Sequence, residues 1–441
     1  MNDLQHRQHP GIAWLLVVVL LLAQLPLLLN PGYFSHDELQ WAVFAERGQA
    51  FSWLGTEAFQ YRPLTFNLWS WLSRHLFEQP QMFHAVLVAW GTTNAAMLYA
   101  LSRRFGVAAW PAAIGAAVFA LSPFAVYTHG WVGTLGDLAW VSAALLIGLV
   151  LVRRPGATVA ILVSALLTGI ALLAKEAALS IPALLALAWW FDGRKRSWGL
   201  ATLAAGAIAA AYLALRLGVL LHAPREGAQY SLSVWHLPLR WVEYQLFAPI
   251  PSVFEIAMTF GRGVNTRIIV AALLWLVVLV ALWRSSKRLP ALLLAGGLAT
   301  LLPVLLLASS WNHYGYGFAA FTAAVVAAAW QPAPRWGRAT IVLFALLTVW
   351  HGVNVMRQMR EVGDIQAVFS PALANILRDR TSQAQLRLRP SADAKEWIFQ
   401  RLTRQVPAYG GITIEQRVQV VAKDAPADLL IQADGRLSSL P

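Results

Sequence analysis

Apolar runs long enough to cross a bilayer recur along most of this chain, and no other property limits its fold so strongly. They fall at roughly 11–29, 81–101, 107–125, 138–152, 157–173, 177–191, 198–221, 266–283, 289–308, 318–330 and 339–356. Of 441 residues, 58% are hydrophobic and only 12% charged, with a mean hydropathy of +0.56. Inside hydrocarbon, every backbone N–H and C=O must find a partner within the protein, which leaves helices or a closed barrel. Barrel strands alternate polar and apolar residues, and these runs do not. The expectation is an all-α polytopic membrane protein with about eleven transmembrane helices. Residues 11–29 lack a small-residue cleavage site before Asn30-Pro31-Gly32 and read as a retained anchor.

The net charge of +13 would point to nucleic acid in a soluble protein. Here the basic residues sit in short turns between apolar runs: His6-Arg7, Arg103-Arg104, Arg153-Arg154, Arg194-Lys195-Arg196, Arg284 to Arg288 and Arg335 to Arg338. Placing all six in the cytoplasm gives one consistent path with the N-terminus inside, so no nucleic-acid partner is expected. Residues 30–80, 126–137, 174–176, 222–265 and 309–317 then face outward, as does everything after about residue 357. The chain contains no cysteine, which excludes disulfides, thiolate chemistry and Cys-ligated metals.

Two outer loops are long. In 30–80, segments 37–47 and 63–76 read as amphipathic interfacial helices, the second with Leu64, Leu68, Trp71, Leu72 and Leu76 along one side. The loop 222–265, with Trp235, Trp241, Tyr244 and Phe247, also reads as interfacial. Composition shifts near Met356. The division is therefore 1–356 as a transmembrane domain and 357–441 as a small extracytoplasmic α+β domain. In the latter, 367–380 and 392–405 read as helices, 385–389, 412–421 and 429–432 as strands, and the residues from Gly435 onward as a frayed end.

Charge is scarce, so its placement is informative. The spans hold almost no ionised residue near their midpoints, whereas coupled transporters need such groups there. Polar groups gather instead at the outer ends: Asp37, Glu38, Arg62, His84, His129, Asp137, Lys175, Glu176, Arg216 and His313. Each has a structural and a chemical reading. Glu38 stands three residues after Ser35, the spacing of a capping box. Capping gives Asp37 no required task, and a carboxylate near an acceptor hydroxyl can act as general base. Arg62, in Tyr61-Arg62-Pro63-Leu64, either snorkels before a helix or offers its fork of donors to a phosphate or to Asp37 or Glu38. Lys175-Glu176 is either an interfacial salt bridge or a phosphate contact with its orienting acid. Asp137 suits a helix N-terminus. The loop Trp311 to Gly317, which contains His313 and Tyr316, is either an aromatic belt or a ligand contact. His84 and Asn94 fit packing hydrogen bonds better than a metal site. No ligand spacing demands a metal; a divalent ion is compatible with the acids and histidines on this face, and no cofactor is expected.

Asp37-Glu38 after the first span, Tyr61 to Leu64, Ser122-Pro123 through Trp131-Val132 to Asp137, and Ala174-Lys175-Glu176 with Pro182 occur in an order that resembles the GT-C glycosyltransferases. The nearest group is the protein O-mannosyltransferase-like one, which includes the transmembrane and tetratricopeptide-repeat mannosyltransferases. The likeness covers roughly residues 10–320. It implies an integral-membrane glycosyltransferase of the bacterial inner membrane, active on the periplasmic face. Such enzymes move a sugar from a polyprenyl-phosphate-linked donor to an acceptor hydroxyl, usually with inversion. Asp37 matches the base or acceptor-binding carboxylate, with Glu38 beside it. Arg62, Lys175, His313 and Tyr316 fall near the donor phosphate, and Tyr61, Asp137, Glu176 and His84 support them. His313-Tyr314-Gly315-Tyr316 stands where relatives often carry Arg-Tyr-x-Tyr, and no tetratricopeptide repeat follows. The competing class is a non-catalytic transporter of lipid-linked glycan or an assembly partner in envelope glycan synthesis.

Overall fold

The structure is a computed structural model that describes residues 10–222, 227–261, 263–380 and 384–440. The expected basic pair His6-Arg7 lies outside these residues. Helices occupy Pro10–Ala23 (α1), Leu25–Leu28 (α2), His36–Glu46 (α3), Pro63–Leu76 (α4), Pro80–Arg104 (α5), Ala109–Ala120 (α6), Pro123–Gly130 (α7), Leu135–Leu151 (α8), Ala157–Ala174 (α9), Ser180–Phe191 (α10), Arg196–His222 (α11), Leu237–Phe247 (α12), Thr266–Ser285 (α13), Arg288–Leu305 (α14), Tyr316–Ala329 (α15), Arg335–Asp379 (α16) and Glu396–Thr403 (α17). Among the described residues, seven helical segments are long and apolar enough to cross a membrane, or eight if the bent pair α6–α7 is one span.

Local chemistry explains where the helices break. The first apolar run is not one rod: it stops at Ala23 and restarts at Leu25, because Pro26 cannot donate to the preceding turn but suits a new helix start. The run at 107–125 is bent by 56° between α6 and α7. There Ser122 caps the new helix, its Oγ accepting the Ala125 amide at 3.2 Å, and Pro123 takes the first helical position. As a result, residues 123–130, expected largely as an outer loop, form a buried helix.

Both helices expected in the first long loop are present as α3 and α4, but α4 turns a different face inward. Its buried residues are Pro63, Thr65, Trp69, Leu72 and Ser73, while Trp71 is exposed. Trp69 stacks on Trp41 of α3 with ring centroids 4.4 Å apart, so the two helices bury an aromatic seam against each other. In the other long loop, α12 buries Tyr244 and Phe247 while Trp235 projects outward, 87% exposed.

The composition shift at Met356 falls inside α16, a single helix of 45 residues. Met356, Met359, Val362, Phe369 and Leu373 keep one side of it buried throughout. Beyond it, strands Leu386–Pro390 (β1), Ala408–Tyr409 (β2), Ile412–Thr413 (β3), Val418–Val420 (β4), Leu429–Ile431 (β5) and Leu437–Ser439 (β6) surround α17. The sheet order is β4-β1-β5-β6, with β1 parallel to both neighbours and β6 antiparallel to β5. Two expectations are corrected here. The segment 412–421 is split into β3 and β4, since β3 pairs back on β2 as a hairpin. The supposed frayed end is β6: Gly435, at φ +90°, turns the chain back onto β5.

Candidate functional site

Four segments far apart in sequence meet at one end of the bundle: the start of α4, the start of α8, the turn after α9, and the Asn312–Gly315 turn before α15. Gly136 makes the approach of the first three possible. A Cβ there would lie 2.8 Å from the Ala174 carbonyl oxygen, 3.1 Å from Lys175 Cβ and 3.1 Å from Thr65 Oγ1. With no side chain in the way, Thr65 Oγ1 donates to that carbonyl at 2.7 Å and ties α4 to the end of α9.

The charges around this contact are paired crosswise. Lys175 and Glu176 do not bridge each other. Lys175 Nζ donates to Asp137 Oδ2, and Arg62 Nε donates to Glu176 Oε2 at 2.7 Å. Arg62 therefore binds neither Asp37 nor Glu38. The Lys175–Asp137 pair is buried, while the Arg62–Glu176 pair keeps 18% and 17% of its side chains exposed. Burial draws the Lys175 ammonium below the usual lysine range, and Asp137 opposes that shift. Lys175 Nζ also lies 4.8 Å from the centre of the Tyr314 ring.

His313 is buried among aromatic rings: Tyr314 at 4.3 Å, Trp131 at 5.1 Å and Tyr127 at 6.4 Å between centroids. Burial, followed by the charges of Lys175 and Arg62, holds its imidazole well below the usual histidine range. Among the described residues, neither His313 Nδ1 nor Trp131 Nε1 has a hydrogen-bond partner, although both atoms are buried. Buried polar atoms are normally satisfied; these two, like others elsewhere in the protein such as Trp69 Nε1 and Thr92 Oγ1, leave hydrogen-bonding capacity for a polar ligand or water.

The acidic pair divides its roles. Glu38 Oε2 accepts the Phe34 and Ser35 amides, both at 2.8 Å, which is the acid's half of the capping box. Its Oε1 accepts the Val132 amide at 3.2 Å and so ties α3 to the chain beside Trp131. Burial pushes the Glu38 carboxyl up to about 8, opposed by these three amides. With both oxygens committed, Glu38 anchors the site. Among the described residues, Asp37 has His36 as its ion-pair partner, Nε2 to Oδ1 2.9 Å, and keeps 28% of its side chain exposed. It is not in the Lys175–Arg62 cluster; α3 connects it to that cluster through Glu38, Val132 and Trp131.

The remaining expected residues take structural partners. Tyr61 donates to the Trp53 carbonyl at 2.5 Å, and the Arg216 guanidinium lies 5.3 Å from the Tyr61 ring centre while donating to the carbonyls of Thr56, Ala58 and Phe59. His84 Nε2 lies 2.9 Å from the Gly32 carbonyl. The Tyr316 hydroxyl is engaged in the core, 3.2 Å from both Asn94 Nδ2 and His129 Nε2, with His129 Nδ1 2.7 Å from Gln24 Oε1.

Sequence reasoning missed two parts. Asn312 clamps the loop after α12, accepting the Ile256 amide at 2.8 Å and donating to the Phe254 carbonyl at 2.9 Å. From that loop Glu255 pairs with Arg401 of α17 at 3.1 Å and accepts the Tyr127 hydroxyl at 3.3 Å. The Arg401 guanidinium lies 4.3 Å from the centre of the Phe34 ring. Lone charges in polar stretches carried no signal of this convergence. Among the described residues, no group of three or more His, Asp or Glu side chains could hold a metal ion. No family model matches the chain, and no curated protein matches it.

Proposed function

We propose that this is a GT-C-like glycosyltransferase that moves a sugar from a polyprenyl-phosphate donor to an acceptor hydroxyl at the end of the bundle described above. The observation that carries the reading is the gathering of Arg62, Lys175 and His313 from three separate loops, beside two unsatisfied buried polar atoms. Such a group suits a departing lipid phosphate, whose charge grows as the glycosidic bond breaks. Asp37, partly exposed and lightly partnered, would take the acceptor's proton as its oxygen attacks the anomeric carbon with inversion. An apolar cavity of about 290 Å³ between α6, α15 and α16 offers room for lipid chain, and its wall includes Phe124, which packs on Gly315 beside this loop. In this reading about eleven spans cross a bacterial inner membrane, the N-terminus is cytoplasmic, and residues 357–441 form a periplasmic domain. The meeting of four segments expected on one side supports their sharing that side.

A second reading rests on the pairing itself. Both cations already have a carboxylate, so the cluster is internally neutralised, as in a structural knot. That favours a non-catalytic transporter of lipid-linked glycan or an assembly partner. Purified protein given undecaprenyl-phosphate-sugar and acceptor decides between them. Transfer that disappears in Asp37→Asn supports the enzyme; an Asp37→Asn protein that folds and keeps full cellular function, alongside failure on deletion of 384–441, supports the partner.

A further inference from the structure

Two basic turns nearly a hundred residues apart in sequence share one cleft. The packing of α10 against α14 brings the turn after α10 beside the turn before α14. Trp190, Phe191, Gly193, Arg194, Lys287, Arg288 and Ala291 then line a recess of about 530 Å³. Charge bias alone accounts for basic residues in these turns, but not for their convergence or for the way Arg194 is held.

Gly193 and Arg194 both take left-handed backbone conformations, φ 71° and 57°. For arginine this is an uncommon state that needs compensation. Part of that compensation is visible: the Arg194 amide donates to the Trp189 carbonyl at 2.8 Å, closing the turn. The guanidinium folds back to 4.4 Å from the Trp190 ring centre and 5.9 Å from that of Trp189. It is thereby oriented on an aromatic wall and not left free to snorkel. Asp192, two residues before Arg194, is already taken: Lys195 donates to its Oδ1 at 2.6 Å and Trp198 to its Oδ2 at 3.0 Å. Arg194, Lys287 and Arg288 make no ion pair among the described residues.

Three uncompensated cations against an aromatic and aliphatic wall match an anion that carries apolar chains. We propose that this cleft binds the phosphate headgroup of an anionic membrane lipid. Arg194 presents its donors from the Trp190 face, Lys287 and Arg288 contribute from the opposite turn, and the acyl chains lie along Trp190, Phe191 and Ala291. A doubly charged diphosphatidylglycerol headgroup would use all three cations. The site is separate from the proposed transfer site, shares no residue with it, and stands or falls independently of it.

The test is lipid retention by native mass spectrometry of the full chain, released from bilayers of phosphatidylcholine doped with cardiolipin. The variants are Lys287→Gln/Arg288→Gln and that pair combined with Arg194→Gln. A cation close to an anionic headgroup contributes roughly a five-fold factor in affinity, so the double variant should retain cardiolipin about 25-fold less strongly and the triple on the order of a hundred-fold less. Lys287 and Arg288 are exposed, so the double variant keeps the fold even if Arg194→Gln disturbs its turn. Inorganic phosphate or glycerol phosphate should not displace the lipid. Equal retention by the double variant and the wild type would overturn the proposal. So would equal retention of phosphatidylcholine and cardiolipin by the wild type, or displacement by inorganic phosphate, which would mark a soluble-anion site.

Discussion

The ammonium of Lys175 is paired with the carboxylate of Asp137 inside the protein, with only 4% and 1% of the two side chains exposed. A pair this deep gains little net stability over a well-packed apolar pair, but removing one partner strands a buried charge. Asp137→Asn should destabilise the protein by about 3–5 kcal/mol, measured by thermal or denaturant unfolding in detergent. Lys175→Met/Asp137→Leu should recover most of that loss, because neither charge remains. If the pair serves the lipid phosphate, the double variant stays folded but loses transfer. Full transfer by a folded double variant would remove Lys175 from the mechanism.

Adjacent acids should respond in opposite ways. Asp37 is partly exposed and, among the described residues, has His36 as its one ion-pair partner, so Asp37→Asn should leave the melting temperature within about 1–2 °C of wild type. If Asp37 is the base of the proposed transfer, its loss should lower turnover by about 10²–10⁴-fold, the usual contribution of a general base. Glu38→Ala removes the acceptor of three backbone amides. Leaving buried donors unsatisfied costs about 1–3 kcal/mol each before relaxation. Glu38→Ala should therefore appear chiefly as unfolding, and a melting curve beside the turnover rate separates the two residues.

The pH dependence of stability has a definite sign at His313. Its folded pKa lies well below the usual value, with burial as the first cause, so the folded protein holds the ring neutral. The unfolded chain takes up a proton below about pH 6.5 while the folded one does not. The stability from this residue is therefore complete above that pH and is lost as the pH falls toward the folded pKa. The loss approaches about 1.4 kcal/mol per pH unit. His313→Gln should make the melting temperature less sensitive to acid between about pH 6.5 and 5; an unchanged slope would show that His313 does not carry this linkage.

Much of this architecture was readable in the sequence because it rests on local rules. Length and hydropathy announce an all-α chain, in which seven or eight of the described helical segments, against about eleven expected, are long and apolar enough to cross a membrane; Ser35 with Glu38 spells a capping box, and Pro63 starts α4 where proline is tolerated. What was not readable depends on distant partners. Arg62 sits 114 positions from Glu176, and nothing near Arg62 selects that acid over Asp37 or Glu38. The break at Pro26 and the bend at Ser122-Pro123 were hidden inside runs whose hydropathy alone looked continuous. Trp71 outranks Trp69 on a simple amphipathic wheel, yet the stacking of Trp69 on Trp41 decides which face turns inward. Strand β6 could not be foreseen, since three residues make a strand only when β5 is there to pair with them.

Gly136 is where backbone geometry and charge placement meet. A methyl group there would lie 2.8 Å from the Ala174 carbonyl oxygen, an atom that cannot rotate away. Gly136→Ala should force α8 from the turn after α9 and cost about 1–3 kcal/mol as overpacking. The same displacement pulls Asp137 from Lys175, and the methyl, 3.1 Å from Thr65 Oγ1, crowds the hydroxyl that ties α4 to Ala174. Transfer should therefore fall more than the stability change alone explains. Comparison with Gly206→Ala on α11, where nothing lies within 4 Å, controls for an added methyl group: that variant should equal or slightly exceed wild type in stability, by up to about 1 kcal/mol, and match it in transfer.

The pairing of Arg401 with Glu255 joins the chain beyond α16 to the loop that Asn312 clamps. Both side chains keep 17% exposure, so a charge left without its partner is still reached by water, and breaking this pair costs less than breaking Lys175 with Asp137. A double-mutant cycle on Arg401→Met and Glu255→Gln should give a coupling energy of about 0.5–3 kcal/mol. Arg401→Met also removes the guanidinium 4.3 Å from the Phe34 ring centre, so it should destabilise more than Glu255→Gln. If α17 roofs the transfer site, protease cleavage within residues 384–395 should accelerate in Arg401→Met, and the affinity for acceptor should weaken while donor binding holds. Equal acceptor and donor affinities in wild type and Arg401→Met would confine the contact to stability.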